Sequence, residues 1–155
     1  MHSRIFQLER KALTEDDYID SGSIPEWFTN SIADYTSDAC SREHDIGWLM
    51  TDGIGDIATV DGNRLTFSSD VRKYFREKYE TFIKAAEKLL KTTFDDFVSG
   101  YPVESAFFIL RDAFNDRYGF YVYSDDGFFD TLDNFMHRVK GGETYFIGGI
   151  VDYHF

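Results

Sequence analysis

A chain of 155 residues, 43% hydrophobic and 18% aromatic, can fill one core; that excludes the disordered acidic class, whose members lack the apolar side chains that offset ordering entropy. Its formal net charge of −12 argues against nucleic acid or anionic lipid as a direct partner, and no apolar run approaches the roughly 20 residues of a membrane-spanning helix. The lone cysteine, Cys40, excludes an internal disulfide, and MHSRIFQLER has no signal-type apolar stretch, so cytoplasmic residence is expected.

Along the chain, RIFQLER (4–10) alternates and predicts a first strand with Phe6 and Leu8 inward. The acidic, Gly/Ser-punctuated stretch 13–27 reads as an exposed connection. Ser23 and Pro25 suit a helix start, and Phe28, Ile32 and Tyr35 at helical spacing predict an amphipathic helix reaching about residue 39, with Trp27 beside its stripe. DIGWLMTDGIGD (45–56) is Gly-broken and fits strand or loop. In DIATVDGNRLTF (56–67), two β-prone runs around Asp61-Gly62-Asn63 predict a hairpin.

Ser68 or Ser69 then caps a long helix over about 69–91, with Val71, Phe75, Tyr79 or Lys78, Phe82, Ala86 and Leu89 on its buried face. Its other face carries Lys73–Glu77, Arg76–Glu80, Glu80–Lys84 and Glu87–Lys91 at pairing distance along a helix, each pair stabilising by about 0.2–0.5 kcal/mol. TTFDDFVSG (92–100) predicts a short helix capped by Thr92 or Thr93 and stopped by Gly100. Pro102 opens another, striped by Ala106, Phe107, Leu110, Ala113 and Phe114.

GFYVYSDDG (119–127) reads as strand and turn, residues 128–142 as a helix ending at Gly141, and ETYFIGGIVDYHF (143–155) as a closing strand. Gly148-Gly149 inside that strand marks a bulge or a close approach of neighbouring backbone. The expected architecture is a single α+β domain over 1–155: a small antiparallel or mixed sheet packed against several helices, including the long central one, with a C-terminal β-α-β unit.

Charge is segregated. Residues 63–93 hold 8 Lys/Arg against 4 Asp/Glu, whereas residues 1–62 hold 4 against 13 and residues 94–155 hold 4 against 11. The basic helix is expected to act as an internal counterweight, lying against acidic segments and relieving self-repulsion.

Chemical signatures are sparse. Cys40 and His44 are four apart, the spacing that puts a thiol and a base on one helical face, but zinc or nucleophilic chemistry needs further partners. Asp52, Asp56 and Asp61, and Asp125, Asp126 and Asp130, cluster without the ligand order of a calcium loop, and no glycine run matches a phosphate-binding pattern. His137 and His154 have no sequence partners. No catalytic residue, cofactor or metal is assigned.

The recurring texture is carboxylates interleaved with aromatics, as in EDDYID, EWFTNSIADYTSD, FDDF and YSDDGFFD, which suits contact with the Arg and Lys of a protein that ordinarily grips phosphates. Small size, acidity and aromatic richness resemble, at the level of composition, nucleic-acid-mimicking inhibitors of the anti-restriction and anti-CRISPR kind and immunity proteins of nuclease toxins. The chain is therefore expected to be a binding protein rather than an enzyme, blocking a basic nucleic-acid-binding protein or nuclease. Its expected contacts are Asp16, Asp17, Asp20, Glu26, Trp27, Asp34 and Asp38 in one region and Asp125, Asp126 and Asp130 in another. The alternatives are a small hydrolase using Cys40 and His44 or a carboxylate metal site, and a structural subunit of a larger assembly. No sequence feature sets the oligomeric state.

Overall fold

A computed structural model describes residues 1–39 and 41–155, which form two compact units: a sheet unit of residues 1–71 and 117–155, and a helical unit of residues 72–116. The α+β class read from the sequence is the one observed.

The sheet unit is built on a seven-stranded mixed sheet. Its spine is the closing strand, β7 (Thr144–His154), which runs antiparallel to β1 (His2–Glu9) along one side. On its other side it pairs with β4 (Arg64–Phe67) near its start and β2 (Tyr35–Asp38) near its end. Next to β1 lies β5 (Tyr121–Ser124), parallel to it, then β6 (Phe128–Thr131) at that edge; β3 (Ala58–Asp61) closes the other.

β1 is buried on both faces. Phe6 and Leu8 point inward as expected, but Ile5 is equally buried in the opposite cluster with Ile19, Ile24, Phe28, Tyr121, Val151 and Tyr153. Phe6 meets Phe120 edge-on at 5.6 Å, and Phe120 meets Trp48 at 5.0 Å. The β3–β4 hairpin forms where Asp61-Gly62-Asn63 predicts it, with Gly62 at φ +59°.

Several boundaries differ from expectation. The helix after Pro25 is short, α1 (Glu26–Ser31), because Tyr35 to Asp38 find β7 as a ladder partner and leave the helix for β2. Residues 45–56 are neither strand nor loop: α2 (Arg42–Trp48) continues into a π-turn over Leu49–Gly53, where Leu49 is fully buried. Within 128–142, Phe128–Thr131 pair with β5 before α6 (Leu132–Met136), capped by Thr131 Oγ1 accepting from Asn134 N at 3.2 Å. The C-terminal strand–helix–strand succession thus carries an added hairpin.

The bulge at Gly148-Gly149 sits opposite Gln7. Gln7 is completely buried; its Oε1 accepts from Ile19 N (3.0 Å) and Gly149 N (2.9 Å), and its Nε2 donates to Asp17 O (3.1 Å).

The helical unit consists of α3 (Tyr74–Leu90), α4 (Phe94–Ser99) and α5 (Tyr101–Phe114). A 3-10 turn, Val71–Lys73, precedes α3, which has no side-chain cap. Ser68 is held in the sheet unit instead, its N–H donating to Ile57 O at 2.7 Å and its carbonyl accepting from Gly142 N at 3.1 Å, so the predicted cap at 68–69 does not form. α4 has the predicted capping box: Asp96 N donates to Thr93 Oγ1 and Thr93 N to Asp96 Oδ2, each at 3.1 Å.

α3 and α5 pack around the small side chains Ala85 and Ala106, the only buried residue of each. Lys78 rather than Tyr79 lies toward the packed stripe, Tyr79 being 64% exposed. The expected pairs Arg76–Glu80, Glu80–Lys84 and Glu87–Lys91 are not made; fixing two long exposed side chains offsets what so weak a pair contributes. Within the helical unit, Arg72, Arg76, Lys84, Lys88 and Lys91 are exposed and form no ion pair with a described residue. Among the described residues, no helix is long and apolar enough to cross a membrane.

Candidate functional site

The sheet unit holds 8 Lys/Arg against 20 Asp/Glu and so carries the whole formal charge of −12, while the helical unit is neutral with 8 of each. All the residues expected to contact a partner belong to the sheet unit, and all are exposed except Asp130, which is half-buried.

Local hydrogen bonds hold several of these carboxylates in place. Asp17 Oδ2 accepts from Thr14 N (3.0 Å) and Thr14 Oγ1 (2.8 Å), and these bonds hold its pKa below the usual range. Asp20 Oδ1 accepts from Ser23 Oγ, and Asp38 Oδ1 from Ser21 N at 2.8 Å, which ties the turn after Asp20 to β2. Asp126 Oδ1 accepts from Phe128 N at the β5–β6 turn, and Asp130 Oδ1 from Thr131 N.

Each of these bonds leaves the second carboxylate oxygen as an acceptor for an incoming Lys or Arg. Only Asp34, of the nine expected acids, has an ion-pair partner among the described residues: His154 Nδ1, at 3.0 Å, whose ring stacks on Tyr35. Trp27, half exposed, meets Phe129 of β6 edge-on at 5.5 Å. That contact joins the first expected region to the hairpin bearing Asp125, Asp126 and Asp130.

Two clusters were not legible in the sequence. In the first, Arg4 bridges β1 to α2: its Nε donates to Asp45 Oδ1 at 2.8 Å, its Nη1 to Asp152, and its guanidinium lies 5.1 Å from the Trp48 ring centre. Asp45 is 1% exposed, and its Oδ2 has no hydrogen-bond partner among the described residues. Separations of 41 and 148 residues give a linear reading no cue to this cluster.

The second cluster lines a cavity of ≈ 340 Å³ that includes Glu9, Arg10, Lys11, Asp126, Arg138 and Tyr145. Arg10 donates to Glu143 Oε1 and Tyr145 Oη and lies over the Tyr145 ring, while Arg138 covers Phe128. Burial and the bond to Glu143 push the Tyr145 hydroxyl up to about 12. Burial also raises the Glu143 carboxyl, but bonds from Lys140 N, Arg10 and Tyr145 outweigh it and hold the pKa low. Arg10, Glu143 and Tyr145 thus satisfy one another at one wall of the cavity.

Glu9 accepts from Asp125 N (2.6 Å) and Ser124 Oγ (3.2 Å). Burial pushes its pKa up against the lowering effect of the Asp125 bond, and the Asp125 and Asp126 charges add to the rise. A carboxyl whose pKa rises on folding binds its proton more tightly in the native state, so its contribution is full in acid and is lost as pH climbs through the folded value. Glu9→Gln, which keeps an acceptor for Asp125 N, is therefore expected to raise the melting temperature at neutral pH, with the gain over wild type closing below the ordinary Glu range. Thermal melts across that interval check it; a gain independent of pH would be the contrary result.

Cys40 lies outside the described residues. His44, in α2, is exposed and sits 3.6 Å from Asp45 Oδ1. Among the described residues, no group of three or more His, Cys, Asp or Glu side chains is placed to hold a metal ion. No protein-family model, curated protein or solved structure matches this chain.

Proposed function

We propose that the protein is a stoichiometric, cytoplasmic binding protein rather than an enzyme, whose acidic sheet unit docks onto a basic surface of a nucleic-acid-binding protein or nuclease and blocks it. The observation that carries this reading is the state of the carboxylates. Eight of the nine acids in the expected contact regions form no ion pair with a described residue, although Arg4 and Arg10 engage Asp45, Asp152 and Glu143 elsewhere in the same unit. Uncompensated charge of one sign around an exposed tryptophan suits a partner rich in Arg and Lys, where complementary fields accelerate encounter and fix register.

Asp16, Glu26 and Asp125 make no side-chain hydrogen bond or ion pair with a described residue, so changing them leaves the described bonds intact. Asp16→Asn, Glu26→Gln and Asp125→Asn together with Trp27→Ala are expected to weaken the complex by about tenfold to a thousandfold and to flatten its dependence on salt. The partner is obtained by affinity capture from the native cell and titrated by calorimetry at two ionic strengths. Unchanged affinity and salt slope would refute the assignment.

A further inference from the structure

Apolar side chains spread well beyond one face of α5. Ala106, Leu110 and Ala113 share one face, Phe107 and Phe114 flank it on one side and Ile109 on the other, and Tyr101 and Phe108 lie opposite, in the sector that also holds Glu104, Arg111 and Asp112. That is a wider apolar surface than one packed stripe needs. Phe94, Phe97, Tyr101, Phe107 and Phe108 are between 48% and 80% exposed, and Leu90 at the end of α3 is 88% exposed. An open groove of ≈ 510 Å³ runs between α4 and α5, floored by Phe97, Val103 and Phe107.

Phe97, Phe107 and Phe108 line the groove together. At about 150–250 Å² per ring and 48–68% exposed, they present roughly 350 Å², within the roughly 300–600 Å² of the largest and often functional patch on a typical monomer.

Charge selects the occupant. Residues 72–91 hold 7 Lys/Arg against 3 Asp/Glu, a net +4, and residues 92–116 hold 1 against 5, a net −4. The unit is neutral overall but split by sign between α3 and the α4–α5 arm. A twofold interface brings each patch of one copy onto its complement in the other, so the same charge contact is made twice. The sheet unit, at −12, would repel a second copy.

We infer that the helical unit is a self-association surface, with α3 of one copy docking against α4 and α5 of a second copy around a shared apolar layer. The inference does not rest on the partner proposed for the acidic face.

Sedimentation equilibrium over a dilution series tests it. Wild type is expected at twice the 18.0 kDa chain mass, dissociating on dilution and more readily at high salt. Phe107→Glu with Leu90→Glu is expected to weaken association at least tenfold. Because those changes could disturb the unit itself, a second pair of variants isolates the charge contact: Lys84→Glu/Lys88→Glu on α3, and Asp95→Lys/Glu104→Lys on α4–α5. Each should be folded by circular dichroism and largely monomeric alone, and mixing the two should restore a heterodimer. A wild-type chain that stays monomeric, a dimer indifferent to all these variants, or a mixture that fails to associate would overturn the inference.

Discussion

Arg4→Met is expected to destabilise the protein by about 3–5 kcal/mol, a large fraction of the 5–15 kcal/mol that holds a typical domain together. Removing the guanidinium strands Asp45 in the interior, where one carboxylate oxygen already has no partner among the described residues, and releases Asp152 on β7. The cost comes from the charge left behind rather than from the net value of the pair, since a buried ion pair repays little more than its own desolvation. Arg4→Lys should fall between, keeping the charge but losing the fork that reaches both acids at once. Adding Asp45→Leu to Arg4→Met should recover part of the loss. Urea unfolding of the four proteins measures this; equal losses in the single and double variants would show that Asp45 is not the source.

Gly149→Ala is the second large effect, about 3 kcal/mol or more, at or beyond the upper end of ordinary overpacking. A Cβ there would overlap the carbonyl oxygen of Ile19 and lie 2.7 Å from its nitrogen, and backbone cannot swing aside. The same contact closes the Gln7 clamp, because Ile19 N and Gly149 N share one amide oxygen. Pushing the 17–19 segment away would part Ile19 N from Gln7 Oε1 and Asp17 O from Gln7 Nε2, leaving these two donors buried without an acceptor, each costing about 1–3 kcal/mol. Gly148→Ala would strike the clamp itself, its Cβ overlapping Gln7 Oε1, so it is expected to cost a comparable amount. Thermal melts of the two variants test this, and a near-neutral result for either would contradict this account.

What the residues disclosed in advance follows from the range of the interactions. Hairpin 58–67, the Thr93 cap and the Gly148-Gly149 bulge are written in neighbouring residues, and all three are present. β2 was hidden inside a helical pattern because Phe28, Ile32 and Tyr35 fit a helix until β7, over a hundred residues later, offers Tyr35 a ladder. β6 was hidden because its register is set by β5 rather than by its own alternation. The exposed acids of the candidate face were visible, since carboxylates in turn-forming stretches stay outside. Trp27 meeting Phe129 was not, nor was the Arg4 cluster, because both depend on how distant strands are ordered.

β4 ends its pairing on β7 at Phe146 (with Arg64), and β2 begins at Val151 (with Asp38), so among the described residues no strand faces Ile147 to Ile150 on that side, although Ile147 N donates to Asn63 O and Ile150 O accepts from Ala39 N. An open ladder of this kind invites an extended segment from another molecule to add itself by main-chain bonding. Arg42 occupies the interval, its guanidinium donating to the carbonyls of Ile147 and Gly148 while its plane covers Tyr18. With Asn63 O and Ala39 N bonded at the two ends of the gap, one cation takes up carbonyls between them that an added strand would need.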